Sequence, residues 1–214
     1  MIQIDVFHDT VCPWCRIGKQ HLKLALEQWP GETAEITYRA FFLDSNIPTE
    51  GRDFREHMLA KGGGRVSLQQ FFDPPRRLGE KSGLTFNFEK IEQAPNSLLS
   101  HRLIALTPSE LKEAMIDAVY TAYFEDGRDI GSLDTLLEIA AEQGLDSAEM
   151  RRLLEGTAAE DEVLGEARWA QQQGISGVPF FIFNGRYAFS GAQPLEVILE
   201  VLEQVSEESE NLIS

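Results

Sequence analysis

The chain has 214 residues, and 19 Lys and Arg against 35 Asp and Glu give it a formal charge of −16. This charge repels phosphate backbones and anionic lipid surfaces, so the composition argues against nucleic-acid and membrane partners. Hydrophobic residues make up 43% of the chain, which suffices for one continuous core or for a small domain with a large insertion. Two cysteines are too few for the framework of a disulfide-stapled secreted protein.

The first residues predict a β-α-β unit. Ile2–Phe7 alternates β-branched and other residues, which is typical of a short strand. From Pro13 the apolar residues take helical spacing until Trp29, and Ala34–Leu43 predicts a second strand rich in β-branched and aromatic residues. A helix between two strands is a suitable crossover for a parallel pair, so we expect an α/β sheet.

The amino terminus does not resemble a targeting segment. Asp5 and His8 interrupt its apolar residues, and no basic region precedes a continuous apolar core. No window of the chain approaches the roughly 18 apolar residues of a membrane span. We therefore expect a cytoplasmic protein.

Residues 49–157 predict a block of helices without strands. Apolar residues recur at helical spacing, and Ser132 and Asp146 or Ser147 stand where N-cap residues are favoured. Pro74-Pro75 is expected to interrupt one of these segments. Helical spacing is clearest in the segments that begin at Leu98, Leu111, Leu133 and Met150.

Strand patterns return near the carboxyl terminus. Pro179–Phe183 and Arg186–Ser190 flank Asn184-Gly185, and this dipeptide between two apolar segments is a strong hairpin signal. Pro194 opens a last helix, and we expect the acidic tail after Glu203 to fray. The predicted organisation is discontinuous, with 1–48 and 158–214 in one domain and 49–157 inserted as a helical domain.

The sequence Cys12-Pro13-Trp14-Cys15 stands at the predicted turn from strand to helix. The first N–H groups of a helix lack intrahelical partners and, with the helix dipole, favour a thiolate at Cys12. Pro13 suits the first helical position because it has no N–H that needs a partner there. Two intervening residues let Cys15 attack a mixed disulfide formed at Cys12, which releases the product and leaves an internal disulfide.

Positive charge follows the cysteines along the predicted helix. Between Val11 and Leu26 there is no carboxylate, and Arg16 and Lys19 lie one and two turns beyond Cys12 on roughly the same side. We expect Arg16 and Lys19, with the intervening dipeptide Pro13-Trp14, to tune the redox chemistry of the Cys12 thiolate.

A zinc site would be the other use of a Cys-x-x-Cys pair. It normally needs a second cysteine pair or paired histidines at metal spacing. The four histidines do not supply that spacing; they are His8, His21, His57 and His101. We therefore predict no metal site.

Gly177-Val178-Pro179 precedes the third predicted strand, where a proline can simply mark an edge position. With C-P-W-C after the first strand and a helical insertion after the second, the chain resembles the thioredoxin superfamily. The insertion is similar to that of the DsbA family, and D-V-F-H-D-T-V-C-P-W-C resembles its cytosolic FrnE-like branch. The resemblance implies a thioredoxin-like α/β fold whose large all-helical insertion separates the second and third strands.

The same resemblance implies roles for four residues. Cys12 is expected to be the exposed nucleophile and Cys15 the resolving thiol. Pro179 is expected to be a cis proline beside them, and Val178 and Pro179 to align the substrate backbone.

Two departures from relatives bear on the chemistry. Val6 stands where many of them carry a buried acid that moves the proton of the second cysteine, which leaves water, Asp9 or His8 for that role. Trp14 stands where strongly oxidising relatives have histidine, and because Trp14 cannot offer a positive charge to Cys12 we expect less oxidising power.

The resemblance implies a thiol:disulfide oxidoreductase acting on protein or low-molecular-weight thiols. No tightly bound cofactor is expected, and glutathione is the candidate redox co-substrate. One alternative is a glutathione-dependent isomerase or a kappa-type glutathione transferase, which usually place a serine at the nucleophile position. Another is a non-catalytic chaperone or binding module. The sequence does not predict an oligomeric state.

Overall fold

The computed structural model describes residues 1–63 and 66–211. The strands are β1 (Ile2–His8), β2 (Ala34–Ala40), β3 (Arg52–Asp53), β4 (Gln93–Ala94), β5 (Phe180–Phe183) and β6 (Tyr187–Ser190). The helices are α1 (Pro13–Gln28), α2 (Phe54–Lys61), α3 (Leu68–Lys81), α4 (Leu98–Leu106), α5 (Ser109–Phe124), α6 (Leu133–Glu142), α7 (Ser147–Glu155), α8 (Glu160–Gln172) and α9 (Leu195–Asn211), with a short 3-10 helix at Phe88–Lys90. Within the described ranges no helix is long and apolar enough to cross a membrane.

The chain divides into two compact units. Met1–Leu43 and Glu166–Ser214 form the sheet unit, and Asp44–Gly165 form the helical unit. These limits differ from the predicted boundaries at 48 and 158, because the flanking segments are hydrogen-bonded within the helical unit. The carbonyl groups of Asn46 and Ile47 accept bonds from Arg52 and Asn96, and those of Leu153, Gly156 and Ala158 accept bonds from Arg102.

The sheet unit contains a four-stranded mixed sheet in the order β2-β1-β5-β6. β1 pairs parallel with β2 and antiparallel with β5, so that Val6 lies opposite both Tyr38 and Phe181. The hairpin predicted from Asn184-Gly185 is confirmed, and both residues have positive φ, +49° and +64°, as a tight hairpin turn requires. The predicted α/β fold with a helical insertion between the second and third strands of this sheet is confirmed.

Alternation along β1 gives the sheet two apolar faces. One face packs on α1 and α9 through a core of Ile2, Ile4, Val6, Leu22, Ala25, Phe181, Phe183, Ile198, Leu202 and Val205. On the other face, Phe7 of β1 forms a second cluster with Phe41, Ala170 and Ile175. The ring of Trp169 stacks on Phe7 with centroids 5.5 Å apart. Glu166 on α8 accepts the Ala40 N–H at 2.8 Å, which ties that helix to the end of edge strand β2.

The helical unit corrects two expectations. β3 and β4 form a two-residue antiparallel ladder where no strand is predicted, because so short a pairing leaves no side-chain pattern. Pro74 and Pro75 lie inside α3 rather than interrupting it. Stacking of Phe72 on Phe54 and Phe88 helps to offset the roughly 3 kcal/mol that an interior proline costs a helix.

Helix α9 also extends further than predicted. It continues through the acidic tail to Asn211 instead of fraying after Glu203. Val205 is buried in the core, and Glu208 contacts both the Tyr187 hydroxyl and Arg186. These contacts hold the acidic segment against the hairpin.

Candidate active site

The turn between β1 and α1 places the two cysteines at the start of the helix, as predicted. Cys12 is the N-cap residue, with extended backbone angles of φ −98° and ψ 112°, and Pro13 follows at the first helical position. The Cys15 N–H donates to the Cys12 sulfur at 3.4 Å and to the Cys12 carbonyl oxygen at 3.1 Å. A main-chain donor therefore points at the sulfur, and the first turn of α1 contains no acidic residue.

The expectation that Cys12 is exposed is wrong for this conformation. Cys12 is 2% exposed and Cys15 is 1% exposed, and neither is in a disulfide. The Cys12 thiol donates to the carbonyl oxygen of Val178 at 3.7 Å, so the segment before β5 lies against the sulfur. Trp14 lies between the two cysteines in sequence but is 38% exposed. The Val178 backbone therefore covers the Cys12 sulfur on this side.

Burial makes Cys15 a poor acid. It raises the pKa of the Cys15 thiol well above its ordinary value, and the hydrogen bond and negative charge of Cys12 raise it further. The charge of Asp9 acts in the same direction, while a main-chain hydrogen bond with Asp9 opposes it. Cys15 therefore retains its proton at neutral pH.

The Gly177-Val178-Pro179 motif lies beside the two cysteines because the start of β5 packs closely on α1. The Val178–Pro179 peptide bond is cis, and the Pro179 carbonyl oxygen accepts the Gly191 N–H at 2.8 Å. On α1, a Cβ added at Gly18 would lie 2.8 Å from Pro179 Cγ and 3.2 Å from Phe181 Cζ. Glycine at this position lets Pro179 lie directly on the helix that carries both cysteines.

Gly18→Ala is expected to destabilise the protein, although alanine normally favours a helix interior by about 1 kcal/mol over glycine. The added methyl group must displace Pro179 or Phe181, and overpacking of this kind costs about 1–3 kcal/mol. Chemical denaturation should show a net loss of up to about 2 kcal/mol, the overpacking cost less the helix gain.

Gly177→Ala is the matched control for that measurement. A Cβ at Gly177 has no atom within 4 Å, and its φ is not positive. This variant should keep the wild-type free energy of unfolding. If both substitutions change the free energy of unfolding equally, the close packing of Gly18 on Pro179 does not contribute to stability.

Arg16 and Lys19, the two cations that follow Cys12 on α1, are both buried rather than exposed on the surface. The Lys19 ammonium lies 5.9 Å from the centroid of the Tyr38 ring, and the His8 ring meets the same ring edge-on at 5.6 Å. Helical spacing indicates that these cations follow Cys12 but not that they are buried. Their effect on the Cys12 thiolate stays a prediction.

Two further residues organise the site. The His21 Nδ1 lies 2.7 Å from the Gln193 carbonyl oxygen, which fixes the segment after β6 against α1. Asp9 is 1% exposed and its carboxylate accepts main-chain N–H bonds from Val11 and Leu43. Asp9 is one of the residues that the sequence offers for moving the proton of Cys15, and this role stays a prediction, whereas no sequence signal marks His21. In the described part of the chain no group of His, Cys, Asp or Glu is arranged to hold a metal ion.

Comparison with known proteins gives a family match. The profile described as "DSBA-like thioredoxin domain" matches residues 3–203. The crystal structure of a probable DsbA oxidoreductase, SCO1869 from Streptomyces coelicolor, superposes with a TM-score of 0.88 at 31% identity, covering 96% of this chain and 90% of that one.

More distant structures share the fold. A 2-hydroxychromene-2-carboxylate isomerase has a TM-score of 0.72 at 16% identity, covering 99% of this chain and 100% of that one. The cytosolic disulfide reductase DsbM from Pseudomonas aeruginosa, solved with glutathione, has a TM-score of 0.65 at 19% identity, covering 94% of this chain and 98% of that one. At these identities the likeness shows the common architecture.

Proposed function

Because the chain belongs to the family of DSBA-like thioredoxin domains, we propose that it is a thiol:disulfide oxidoreductase in which Cys12 is the nucleophile and Cys15 the resolving thiol. The observation that carries the proposal is the unequal placement of the two sulfurs. Both thiols are buried, but Cys12 is the N-cap and receives a helix N-terminal N–H at 3.4 Å, whereas Cys15 lies one turn further along with a raised pKa. Such a pair separates attack from resolution.

The chemistry is an exchange of disulfide bonds. The Cys12 thiolate attacks one sulfur of a substrate disulfide, forming a mixed disulfide and releasing the other sulfur as a thiolate. Cys15 then attacks the Cys12 sulfur, which releases the second substrate thiol and leaves a Cys12–Cys15 disulfide. The reverse sequence oxidises a dithiol substrate. To the Val178 main chain we assign pairing with the backbone of a bound peptide, and its carbonyl oxygen 3.7 Å from the Cys12 sulfur supports this assignment.

The substrates we propose are proteins or small thiols in the cytoplasm, with glutathione returning the internal disulfide to the dithiol. Direction depends on the redox pool, since about 30 mV corresponds to 1.4 kcal/mol for this two-electron couple. Trp14 replaces the histidine of strongly oxidising relatives, which supports a reductive or isomerising role. This more specific assignment follows the FrnE-like branch that the sequence resembles.

The alternative is a glutathione-dependent isomerase, and the shared fold of the 2-hydroxychromene-2-carboxylate isomerase is what favours it. That chemistry activates the thiol of bound glutathione and does not need two enzyme thiols. Cys12 and Cys15 placed on the same helical turn favour the oxidoreductase.

Insulin reduction tests the proposal. With glutathione or dithiothreitol as reductant, the wild-type protein should accelerate precipitation of the insulin B chain, and the double variant Cys12→Ser/Cys15→Ser should not exceed the reductant alone. Equal rates for the two proteins would rule out dithiol catalysis. Glutathione-dependent turnover of an aromatic substrate that survives Cys15→Ser would favour the isomerase. Suppression of aggregation that survives loss of both cysteines would favour a binding module.

A further inference from the structure

One face of α1 carries a row of buried residues three positions apart. Residues at this spacing are neighbours on a helix surface, and the row runs from Cys15 through Gly18 to His21. Gly18 lies against Pro179 at the start of the β5–β6 hairpin. His21 lies one turn further along α1 and meets the chain that follows the hairpin. The helix that carries both cysteines therefore contacts the chain on either side of this hairpin.

His21 is hydrogen-bonded to a tight turn formed by residues 190–193. Its Nδ1 atom lies 2.7 Å from the carbonyl oxygen of Gln193. A carbonyl oxygen can only accept, so the imidazole donates through Nδ1. Within the turn, the Gln193 N–H donates to the Gly191 carbonyl oxygen at 2.9 Å, and the Gln193 side-chain amide donates to the Ser190 carbonyl oxygen at 2.8 Å. The His21 ring thus fastens a turn with its own internal bonds to α1.

The same turn is bonded to the segment that covers the Cys12 sulfur. The Gly191 N–H donates to the Pro179 carbonyl oxygen at 2.8 Å. Pro179 directly follows Val178, whose carbonyl oxygen accepts from the Cys12 thiol at 3.7 Å. Hydrogen bonds and short main-chain links therefore lead from the His21 ring to the Cys12 sulfur. Every residue on this path belongs to the sheet unit.

We propose that His21 is a positioning residue that keeps the Val178 carbonyl on the Cys12 sulfur. It acts through the turn at 190–193 and through Pro179, which that turn holds. With the His21 bond in place Cys12 stays 2% exposed, and the Val178 main chain keeps a fixed position for a peptide backbone. The role toward peptides rests on the proposed function, whereas the cover over Cys12 does not.

Three replacements of His21 separate the hydrogen bond from the bulk of the ring. His21→Asn places an amide N–H near the position of Nδ1, so it retains a donor for Gln193. His21→Gln carries its amide one carbon further out, and His21→Leu has no donor. Lys23→Leu, at an exposed position of the same helix, is the matched control. Cys15→Ser in every protein leaves Cys12 as the one cysteine.

The experiment measures the rate at which iodoacetamide alkylates Cys12 as the pH is raised, with circular dichroism to show that each protein is folded. The thiolate displaces iodide and forms a thioether, so the midpoint of the pH profile reports ionisation and the limiting rate reports access to the sulfur. Limiting rates for His21→Leu and His21→Gln should be about fivefold above the parent, the factor that one net hydrogen bond contributes to an equilibrium. His21→Asn and Lys23→Leu should match the parent.

Several results would overturn the proposal. Equal limiting rates in all these proteins, or a rate for His21→Asn as high as that of His21→Leu, would show that the bond to Gln193 does not hold the cover. A change in the midpoint alone would mean that His21 acts on ionisation of Cys12 and not on access. If neither His21→Leu nor His21→Gln folds, His21 supports the fold rather than the cover, and the positioning role is lost.

The role toward peptides has its own readout in the protein with both cysteines. His21→Leu should raise KM for a peptide disulfide while kcat stays within about twofold, because a raised KM with unchanged kcat marks lost binding. His21→Asn should restore the parent KM. An unchanged KM would overturn this part of the proposal. Alkylation needs no turnover, so the cover over Cys12 and the oxidoreductase activity can fail separately.

Discussion

Cys15→Ser is expected to convert the protein into a trap for its substrate. Cys12 keeps its N-cap position, so it still attacks a disulfide, but a hydroxyl cannot resolve the mixed disulfide that forms. In a single turnover of the reduced protein with a substrate disulfide and no added thiol, release of the second substrate thiol should fall at least about ten-thousandfold, the scale of losing a member of a catalytic unit. Intact-mass measurement under non-reducing conditions should show protein plus one substrate thiol, and dithiothreitol should remove the adduct.

Cys12→Ser is the matched control, because it also leaves one thiol. The remaining Cys15 is buried and holds its proton, so we expect an equal loss of turnover with no adduct. If Cys12→Ser forms the adduct and Cys15→Ser does not, the two cysteines have the opposite roles. Adducts formed equally by both variants would mean that the N-cap position of Cys12 and the raised pKa of Cys15 do not make the two thiols unequal.

Local sequence was enough to predict the half of the site carried by the β1–α1 turn. Alternation along Ile2–Phe7 ends just before Asp9, and Pro13 begins the helix, so Cys12 had to stand at the N-cap. The first residues of the insertion, by contrast, lack such signals. Its two-residue ladder pairs Arg52 with Ala94 and Asp53 with Gln93, which are far apart in sequence, and no side-chain alternation marks it.

The other half of the site depends on pairing across the chain. Val178 lies against Cys12 because β5 pairs with β1, and this register joins residues that lie far apart in sequence, such as Val6 and Phe181. Composition and spacing gave no reason to connect Val178 with Cys12; only the family resemblance did. The burial of Cys12 and Lys19 could not be predicted for the same reason. The Val178 carbonyl lies on Cys12 and the Tyr38 ring lies near Lys19, and both contacts form between segments that are distant in sequence.

Arg102→Ala is expected to destabilise the protein by about 3–5 kcal/mol, the range for removing one partner of a buried charged network. Arg102 lies on α4, is 4% exposed and matches the helical spacing of its apolar neighbours. Its guanidinium donates to the carbonyl oxygens of Leu153, Gly156 and Ala158 at 3.1, 2.6 and 2.9 Å. These acceptors include the end of α7, whose last carbonyl groups have no partner within the helix.

Truncation leaves those carbonyl groups without their donor and Glu160 without the cation 3.6 Å away. Thermal unfolding should therefore begin lower by roughly 6–12 °C for a loss of about 3 kcal/mol in a chain of this size. Arg102→Lys should restore only part of the loss, because a single ammonium group cannot reach acceptors that a planar guanidinium spans. Arg151→Ala on α7 removes only solvent-exposed ion pairs with Asp134 and Glu155, so it should leave the unfolding curve unchanged. If Arg102→Ala unfolds with the Arg151→Ala control, the buried guanidinium does not hold α7 to α4.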